Sequence, residues 1–250
     1  PQGLISLSDH PRALGSSLTH EHITTDYSEA LIELVTPTFT HSWELLQYLT
    51  ELHQFVYSAL GSELLWATSM PCRISGDASI PIAKFGNSNI GQMKHIYRRG
   101  LAIRYGRIMQ AISGVHFNYS FPARFWEVFA AVLQRADHGQ AFISEMYFAL
   151  LRNYRRHGWI VPYLFGASPA VCQSFVDGRL DHGLEEFGRG TLYAPFATSL
   201  RMSDLGYRNK SQAGLCISIN SLDEYVRDMS AAITSTDPAY EALGVCVDGE

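Results

Sequence analysis

The sequence lacks several features that would assign a class of protein at once. Charged residues make up only 17% of the 250 residues, and the formal net charge is −5. No basic stripe is present, which argues against nucleic acid and anionic membrane surfaces as partners. The most apolar run, 159–171, is short and is interrupted by Pro162 and Pro169, so no membrane-spanning helix is predicted. The hydrophobic content of 46% is typical of a folded globular core.

Motifs for thiolate, phosphate-loop and covalent chemistry are also absent. The four cysteines, at positions 72, 172, 216 and 246, form no C-x-x-C pair. Their wide spacing is typical of reduced thiols in a cytoplasmic protein and leaves room for one disulfide. The run at 209–212 lacks the glycines of a phosphate loop, and 166–169 is not a nucleophile elbow. The chain begins at Pro1 without a secretory pattern, and we expect it to be a piece of a longer protein.

The stretch 110–120 alternates between two unlike faces when it is read as a strand. One face carries Gln110, Ile112, Gly114, His116, Asn118 and Ser120; the other carries Ala111, Val115, Phe117, Tyr119 and Phe121, with Ser113 as its polar exception. The polar face with its small gaps is typical of the floor of a binding site. A half-exposed antiparallel strand with a solvated face has the same pattern, and the residues alone leave both interpretations open.

The stretch 23–37 is the second one that can carry chemistry. As a helix it would place Asp26, Glu29 and Glu33 on one stripe, and as a strand it would place Glu29 and Glu33 on one face. The β-branched residues at both ends favour a strand. Helical spacing predicts helices at 41–60, 92–109, 122–135, 142–157 and 221–233 and one starting at 237. The apolar segment 159–172 is predicted to be buried, and the fold class is α+β.

Asp26, Glu33 and His116 form a possible metal set. Carboxylate oxygens with an imidazole nitrogen suit Mg²⁺ or Mn²⁺, ions that bridge nucleotide phosphates. The alternative is that both acids are solvated on a sheet face and that the histidine is a hydrogen-bonded structural residue.

Two arginines and two tyrosines could line a small-molecule pocket. Arg98 and Arg201 could grip a carboxylate or a phosphate with paired N–H groups. A surface ion pair is the other interpretation, and it fits Arg98 better than Arg201, which lies in a run of low charge. Tyr97 and Tyr207 could wall the pocket, or they could belong to ordinary core packing.

Several stretches resemble the glutamate–cysteine ligases (γ-glutamylcysteine synthetases) of the proteobacterial group. The stretches are H-P-R-A-L-G-S-S-L-T-H at 10–20, I-T-T-D-Y-S-E-A-L-I-E-L-V-T-P at 23–37, S-M-P-C at 69–72, Y-R-R-G-L at 97–101, R-Y-G-R-I-M-Q-A-I-S-G-V-H-F-N-Y-S at 104–120, G-W-I-V-P-Y-L-F-G-A-S-P-A-V-C at 158–172 and A-T-S-L-R-M-S-D-L-G-Y-R-N-K-S-Q at 197–212. They keep the order of the family and cover nearly the whole chain.

The resemblance implies an activity, its substrates and the residues that bind them. The activity would be ATP-dependent ligation of the γ-carboxylate of glutamate to the amine of cysteine through γ-glutamyl phosphate, the first step of glutathione biosynthesis. Small molecules would be the partners, and Mg²⁺ or Mn²⁺ would neutralise phosphate charge. Asp26, Glu33 and His116 resemble the metal ligands of the family. The positions that resemble its substrate site are Tyr27, Tyr97, Arg98, Leu101, Gln110, Asn118, Arg201 and Tyr207, with Arg201 on the glutamate carboxylate as a catalytic group.

The resemblance also implies a fold and an incomplete chain. The fold would be a single domain over 1–250 of the glutamine synthetase-like carboxylate–amine ligase type, with a curved, mainly antiparallel sheet forming a funnel and helices outside. A first strand with two further metal-binding glutamates and a later strand with E-V-R are missing. We therefore expect this chain alone to be inactive and to have exposed sheet edges that are prone to aggregation.

Three alternatives remain open at this point. The chain could belong to a bifunctional glutathione synthase, or to a ligase that uses another amine. It could also be a non-catalytic amino-acid-binding fragment, which would bind glutamate without releasing ADP.

Overall fold

The computed structural model describes residues 3–71, 73–166, 169–178, 181–200, 214–236 and 238–243. The chain divides into two compact units, the first formed by 1–115 and 168–207 and the second by 116–167 and 208–250. The single domain over 1–250 stays a prediction.

The first unit combines helices with two small antiparallel sheets. Its helices are α1 (Ser42–Ala59), α2 (Asn89–Tyr105) and α3 (Arg107–Gln110), and its strands are β1 (Ile23–Thr25), β2 (Ile32–Leu34), β3 (Ala170–Cys172), β4 (Glu185–Gly188) and β5 (Thr191–Tyr193). Strand β1 pairs with β2, and the other sheet has the order β3-β5-β4. All these pairings are antiparallel. This architecture confirms the α+β fold class and the mainly antiparallel pairing.

The stretch predicted as one strand at 23–37 is two short strands joined by a turn. The turn is closed by a hydrogen bond of 2.8 Å from the Leu31 amide to the Ser28 carbonyl. Thr24 is paired with Glu33 across the two strands, and the Asp26 amide donates to the Leu31 carbonyl at 3.0 Å. The extended residues at both ends were therefore predicted correctly, whereas the local pattern gave no signal for the reversal between them.

Apolar side chains of the first unit pack in two clusters. One holds β1 and α1 together through buried Leu14, Ile23 and Val56. The other is larger and contains the residues around the end of α3 and the second sheet: Tyr27, Ile74, Ile80, Met109, Ala111, Ile112, Val171, Phe175, Val176, Leu192 and Leu200. The two clusters hold different parts of the hairpin: Ile23 and Leu34, at its open end, pack in the first, and Tyr27, near its turn, packs in the second.

The second unit is helical in the residues that the structure describes. Its helices are α4 (Ala123–Val132), α5 (Gln140–His157), α6 (Ile160–Phe165), α7 (Leu222–Thr234) and α8 (Pro238–Leu243). Pro122 precedes α4, and the Ser221 hydroxyl accepts a hydrogen bond from the Glu224 amide at the start of α7. Trp126, Ala130 and Phe142 form its buried core.

Three predictions about elements are wrong. The single helix predicted at 92–109 is two helices, α2 and α3, because Gly106 ends α2 with a φ of 77°. The stretch 110–120 is not a strand: Gln110 ends α3, and no described segment pairs with the residues that follow as a strand. Alternation alone cannot form a strand, because backbone groups need a neighbouring strand to pair with. The segment 159–172 is not buried as a whole, since α6 exposes large side chains such as Tyr163 and Phe165. Apolar composition predicted burial there, but burial needs a partner surface.

Two further observations concern membranes and cysteines. Among the described residues, no helix combines the length and the apolar character needed to cross a membrane.

Cys172 and Cys216 are free thiols. Cys72 and Cys246 lie outside the described residues.

The core of the second unit generates a stability prediction. Phe142 is fully buried against Trp126, whereas Phe165 on α6 is 76% exposed. We expect Phe142→Ala to lower the free energy of unfolding by about 3–5 kcal/mol, because it removes buried contacts and leaves a cavity. Phe165→Ala, the same change at an exposed site, should stay within about 0.5 kcal/mol. Urea unfolding followed by circular dichroism measures both, and equal losses would contradict the packing described here.

Candidate functional site

The hairpin formed by β1 and β2 presents two carboxylates on one face. Thr24 and Glu33 are directly paired, and Asp26 continues the strand beyond Thr25. Since side chains alternate along a strand, Asp26 and Glu33 share the face opposite to Ile23 and Thr25. Both acids are exposed, whereas Ile23 and Thr25 are buried. The structure therefore brings together two of the three predicted metal ligands.

Arg98 on α2 joins this hairpin through its guanidinium group. Its Nε donates to the carbonyl oxygen of Asp26, and one terminal nitrogen donates to the Thr25 carbonyl at 3.2 Å. The other terminal nitrogen donates to the Lys94 carbonyl at 3.0 Å, one turn back in its own helix. A guanidinium carries five N–H groups, so these three carbonyls leave two for other acceptors. The predicted substrate residue is thus also a structural link between helix and strand.

The electrostatics of the site follow from this contact. Burial lowers the pKa of Arg98 below its ordinary value, and the charges of Asp26 and Glu33 oppose that shift. The guanidinium stays charged in proteins even when its pKa is lowered. A fixed cation therefore lies close to both carboxylates of the hairpin face.

Helix α2 is fixed at its start, which sets the position of its site residues. The Ser88 hydroxyl caps the helix by accepting from the Gly91 amide at 3.2 Å. Any side chain at Gly91 would collide with the Phe85 carbonyl, because a Cβ atom there would lie 2.4 Å from that oxygen. His95 Nδ1 lies 2.9 Å from the Ala83 carbonyl oxygen and adds a second anchor.

The other predicted substrate residues have different environments. Tyr97 is 64% exposed on α2, and Leu101 packs against the larger cluster of the first unit. Tyr27 and Gln110 are buried in the same unit. The pocket role of these four residues stays a prediction.

Four other predicted residues belong to the second unit or to the part of the chain that is not described. His116 and Asn118 belong to the second unit, where both are exposed. Arg201 and Tyr207 lie outside the described residues. A metal set that combines Asp26, Glu33 and His116 therefore stays a prediction.

The hairpin face supplies part of the ligand set that a hard divalent ion needs. Asp26 and Glu33 supply carboxylate oxygens, which are the ligands that Mg²⁺ prefers. Among the described residues, no group of three or more His, Cys, Asp or Glu side chains is arranged to hold a metal ion. Two carboxylates with an incomplete ligand set are consistent with an ion that is held mainly by water and substrate phosphates, as Mg²⁺ often is.

Buried polar residues behind the hairpin were missed at the sequence level. The Thr25 hydroxyl lies 3.4 Å from His10 Nδ1, and His10 Nε2 is buried without a hydrogen-bond partner among the described residues. Glu29 is 6% exposed and accepts from the Lys84 amide through one oxygen. These contacts join residues far apart in the chain, so no local pattern signals them.

The apolar cavity of the first unit is separate from this face. It is lined by Met70, Met109, Ile112, Val171, Phe175, Val176 and Leu200. None of the predicted site residues lines it. The hairpin face with α2 is therefore an open, polar site and not an apolar pocket.

Comparisons with known proteins identify close relatives. The family model "Glutamate-cysteine ligase" matches residues 1–250. The glutamate–cysteine ligase of Hahella chejuensis is 56% identical over 250 residues, which cover 100% of this chain and 47% of that protein. That of Shewanella oneidensis is 53% identical over 249 residues, covering 99% of this chain and 48% of the relative. The chain spans about half the length of the curated relatives it matches.

Solved structures agree with the sequence comparisons. The chain is similar to the crystal structure of glutamate–cysteine ligase from Francisella tularensis in complex with AMP, with a TM-score of 0.86 and 38% identity over 98% of this chain and 48% of that one. It is also similar to a bifunctional glutathione synthetase from Pasteurella multocida, with a TM-score of 0.73 and 25% identity over 94% of this chain and 28% of that one. The resemblance and the fold class predicted from the sequence are confirmed.

The half-buried His10 generates a prediction about pH. Burial lowers the pKa of His10 below its ordinary value of 6.5; the charge of Glu29 opposes this shift and that of His20 adds to it. Below pH 6.5 the unfolded chain therefore takes up a proton at His10 before the folded chain does, so acidification favours unfolding. We expect the contribution of His10 to be complete above pH 6.5 and to be lost as the pH falls through its lowered pKa.

Urea unfolding from pH 8 to pH 5 would test this by comparing the parent with His10→Gln. The free energy of unfolding of the parent minus that of His10→Gln should decrease on acidification. His53→Gln is the matched control, because His53 is exposed on α1. A difference that stays constant or grows as the pH falls would contradict the environment described for His10.

Proposed function

Because the chain belongs to the glutamate–cysteine ligase family, we propose that it forms part of the substrate site of an ATP-dependent carbon–nitrogen ligase. The enzyme joins the γ-carboxylate of L-glutamate to the amine of L-cysteine, which is the first step of glutathione biosynthesis. The match of the family model over the whole chain carries this proposal. The AMP complex of the Francisella tularensis relative supports ATP as the co-substrate.

The reaction would proceed in two steps. A γ-carboxylate oxygen of glutamate attacks the terminal phosphorus of ATP, and ADP leaves with γ-glutamyl phosphate as the intermediate. The amine of cysteine then attacks the γ-carbonyl carbon, loses a proton, and inorganic phosphate leaves. Both steps bring anionic or nucleophilic groups together, so positioning and neutralisation of charge would supply most of the catalysis.

Asp26, Glu33 and His116 would hold Mg²⁺ or Mn²⁺. When bound, the ion would neutralise the phosphate oxygens of ATP. The exposed, same-face placement of Asp26 and Glu33 supports their part of this assignment, and their carboxylates stay open to solvent at the hairpin face. Arg98 would stabilise the same face by holding the backbone of Asp26.

Residues of α2, together with Arg201 and Tyr207, would bind the two amino-acid substrates. Tyr97 and the uncommitted N–H groups of Arg98 would contact cysteine, with Tyr207 on the same pocket and Tyr27, Leu101 and Gln110 supporting it. Asn118 would lie on the side of the site that faces the substrates. Arg201 would bind the glutamate carboxylate as the catalytic cation.

The same domain also occurs in longer enzymes. The likeness to the bifunctional glutathione synthetase of Pasteurella multocida supports a second candidate, in which this chain is the ligase part of such a protein. Both candidates give the same chemistry at this site. A cytoplasmic location completes the proposal, because ATP and reduced cysteine are both substrates.

Cysteine-dependent release of ADP tests the proposed function. The protein is a version extended to the length of its relatives, supplied with ATP, Mg²⁺ and glutamate, with or without cysteine. We expect sustained ADP release and γ-glutamylcysteine when cysteine is present. Glutamate binding without any ADP release would instead favour a non-catalytic amino-acid-binding protein.

The metal assignment is tested in the same assay by His116→Ala. Loss of an imidazole ligand should weaken the apparent affinity for Mg²⁺ by at least about tenfold. His138→Ala is the matched control, because His138 is an exposed histidine of the same unit. An unchanged Mg²⁺ dependence in His116→Ala would remove His116 from the metal set.

A further inference from the structure

Phe85 lies beneath two cationic side chains of α2. Its ring is 6% exposed, with the Arg98 Cζ atom 4.5 Å from the ring centroid and the Lys94 Nζ atom 5.0 Å from it. Both distances are within the roughly 6 Å over which an aromatic face attracts a cation. The ring is therefore placed to hold the guanidinium of Arg98 by its face.

The edge of the same guanidinium is held by carbonyl oxygens. It donates to Thr25 and Asp26 of the hairpin and to Lys94 of its own helix. A guanidinium that is held by three hydrogen bonds and lies over an aromatic ring has little freedom to move. Phe85 adds the face of an aromatic ring to these three hydrogen bonds.

The backbone around Phe85 is itself tied to the hairpin and to α2. The Ala83 amide donates to the Tyr27 carbonyl at 2.9 Å, and the Lys84 amide donates to the buried Glu29 carboxylate. The close approach of Gly91 to the Phe85 carbonyl fixes the backbone of Phe85 relative to the helix. Phe85 is therefore a fixed platform, and Arg98 is positioned against it.

We propose that Phe85 is a positioning residue of the ligase site, which orients Arg98 for the binding of cysteine. The inference rests on the proposed function, because it gives Arg98 a place in the cysteine pocket. Phe85 itself need not touch a substrate. Weakening the ring–cation contact loosens Arg98 in the ground state and in the transition state alike, so the KM for cysteine rises while kcat changes little.

A residue that only fills space would behave differently. Replacing ring hydrogens by fluorine changes the volume of phenylalanine little but withdraws electrons from the ring face, which weakens its attraction for a cation. Packing depends on shape, whereas positioning through the ring face depends on electron density. A stepwise series at Phe85 with one, two and three fluorines therefore separates the two roles.

The experiment measures cysteine KM and kcat in the extended ligase for this series. We expect the KM to rise with each fluorine, reaching about fivefold for trifluorophenylalanine, which corresponds to ~1 kcal/mol. The change in kcat should stay within about twofold. The matched control is the same series at Phe142, whose ring lies 5.4 Å from the Arg135 Cζ atom in the second unit. A KM that is flat across the Phe85 series, or that rises equally in the Phe142 series, overturns the proposal.

A second readout is independent of ligation. Proton exchange at Arg98 Nε–H, followed by NMR in the 250-residue chain, should accelerate along the Phe85 series as the guanidinium loosens. Unchanged exchange would mean that the ring does not restrain Arg98. Faster exchange with an unchanged cysteine KM would limit Phe85 to a structural role. If the unsubstituted extended protein shows no cysteine-dependent ADP release, the proposed function fails, while the exchange rates still decide whether Phe85 holds Arg98.

Discussion

The hydrogen bonds from Arg98 to the carbonyls of Thr25 and Asp26 are the constraint on which the candidate site depends. The hairpin they hold has three residues in each strand, and a two-stranded sheet of this size is only marginally stable by itself. Its support comes from apolar packing on α1, from α2, which reaches it through Arg98, and from the 81–86 segment, which binds its turn. The hydrogen bonds of the Arg98 side chain thus help to order a hairpin that has only three paired residues in each strand.

This arrangement divides the hairpin into a buried face and an exposed, charged face. Ile23 and Tyr27 anchor the buried side in two apolar clusters. Asp26 and Glu33 remain exposed on the other side, where their charges and that of Arg98 lie close together. Because both acids are exposed, their charged forms avoid the desolvation cost of a buried carboxylate. The buried glutamate, Glu29, serves the backbone instead, by accepting from the Lys84 amide.

Local patterns predicted the parts of the fold that local forces decide. The helix predicted at 41–60 is present at 42–59. Period-two alternation along a single strand would place Asp26 and Glu33 on opposite faces, and it is the turn between β1 and β2 that brings them to one face. The same alternation failed at 110–120, because a strand also needs a partner. The platform of Phe85 and the neighbours of His10 could not be predicted, since they depend on contacts between distant parts of the chain. Motif order over the whole chain, by contrast, was sufficient to predict the family, which the comparisons confirm.

Hydrogen–deuterium exchange of the 23–34 segment in Arg98→Ala tests the role of this link most directly. If Arg98 holds the hairpin, the Asp26 amide, which donates to Leu31, should exchange much faster in the variant, while α5 in the second unit keeps its protection. Arg124→Ala, which removes an exposed arginine of α4, should leave both segments unchanged. Normal protection of the Asp26 amide in Arg98→Ala would show that the hairpin stands without the link, and would contradict the account.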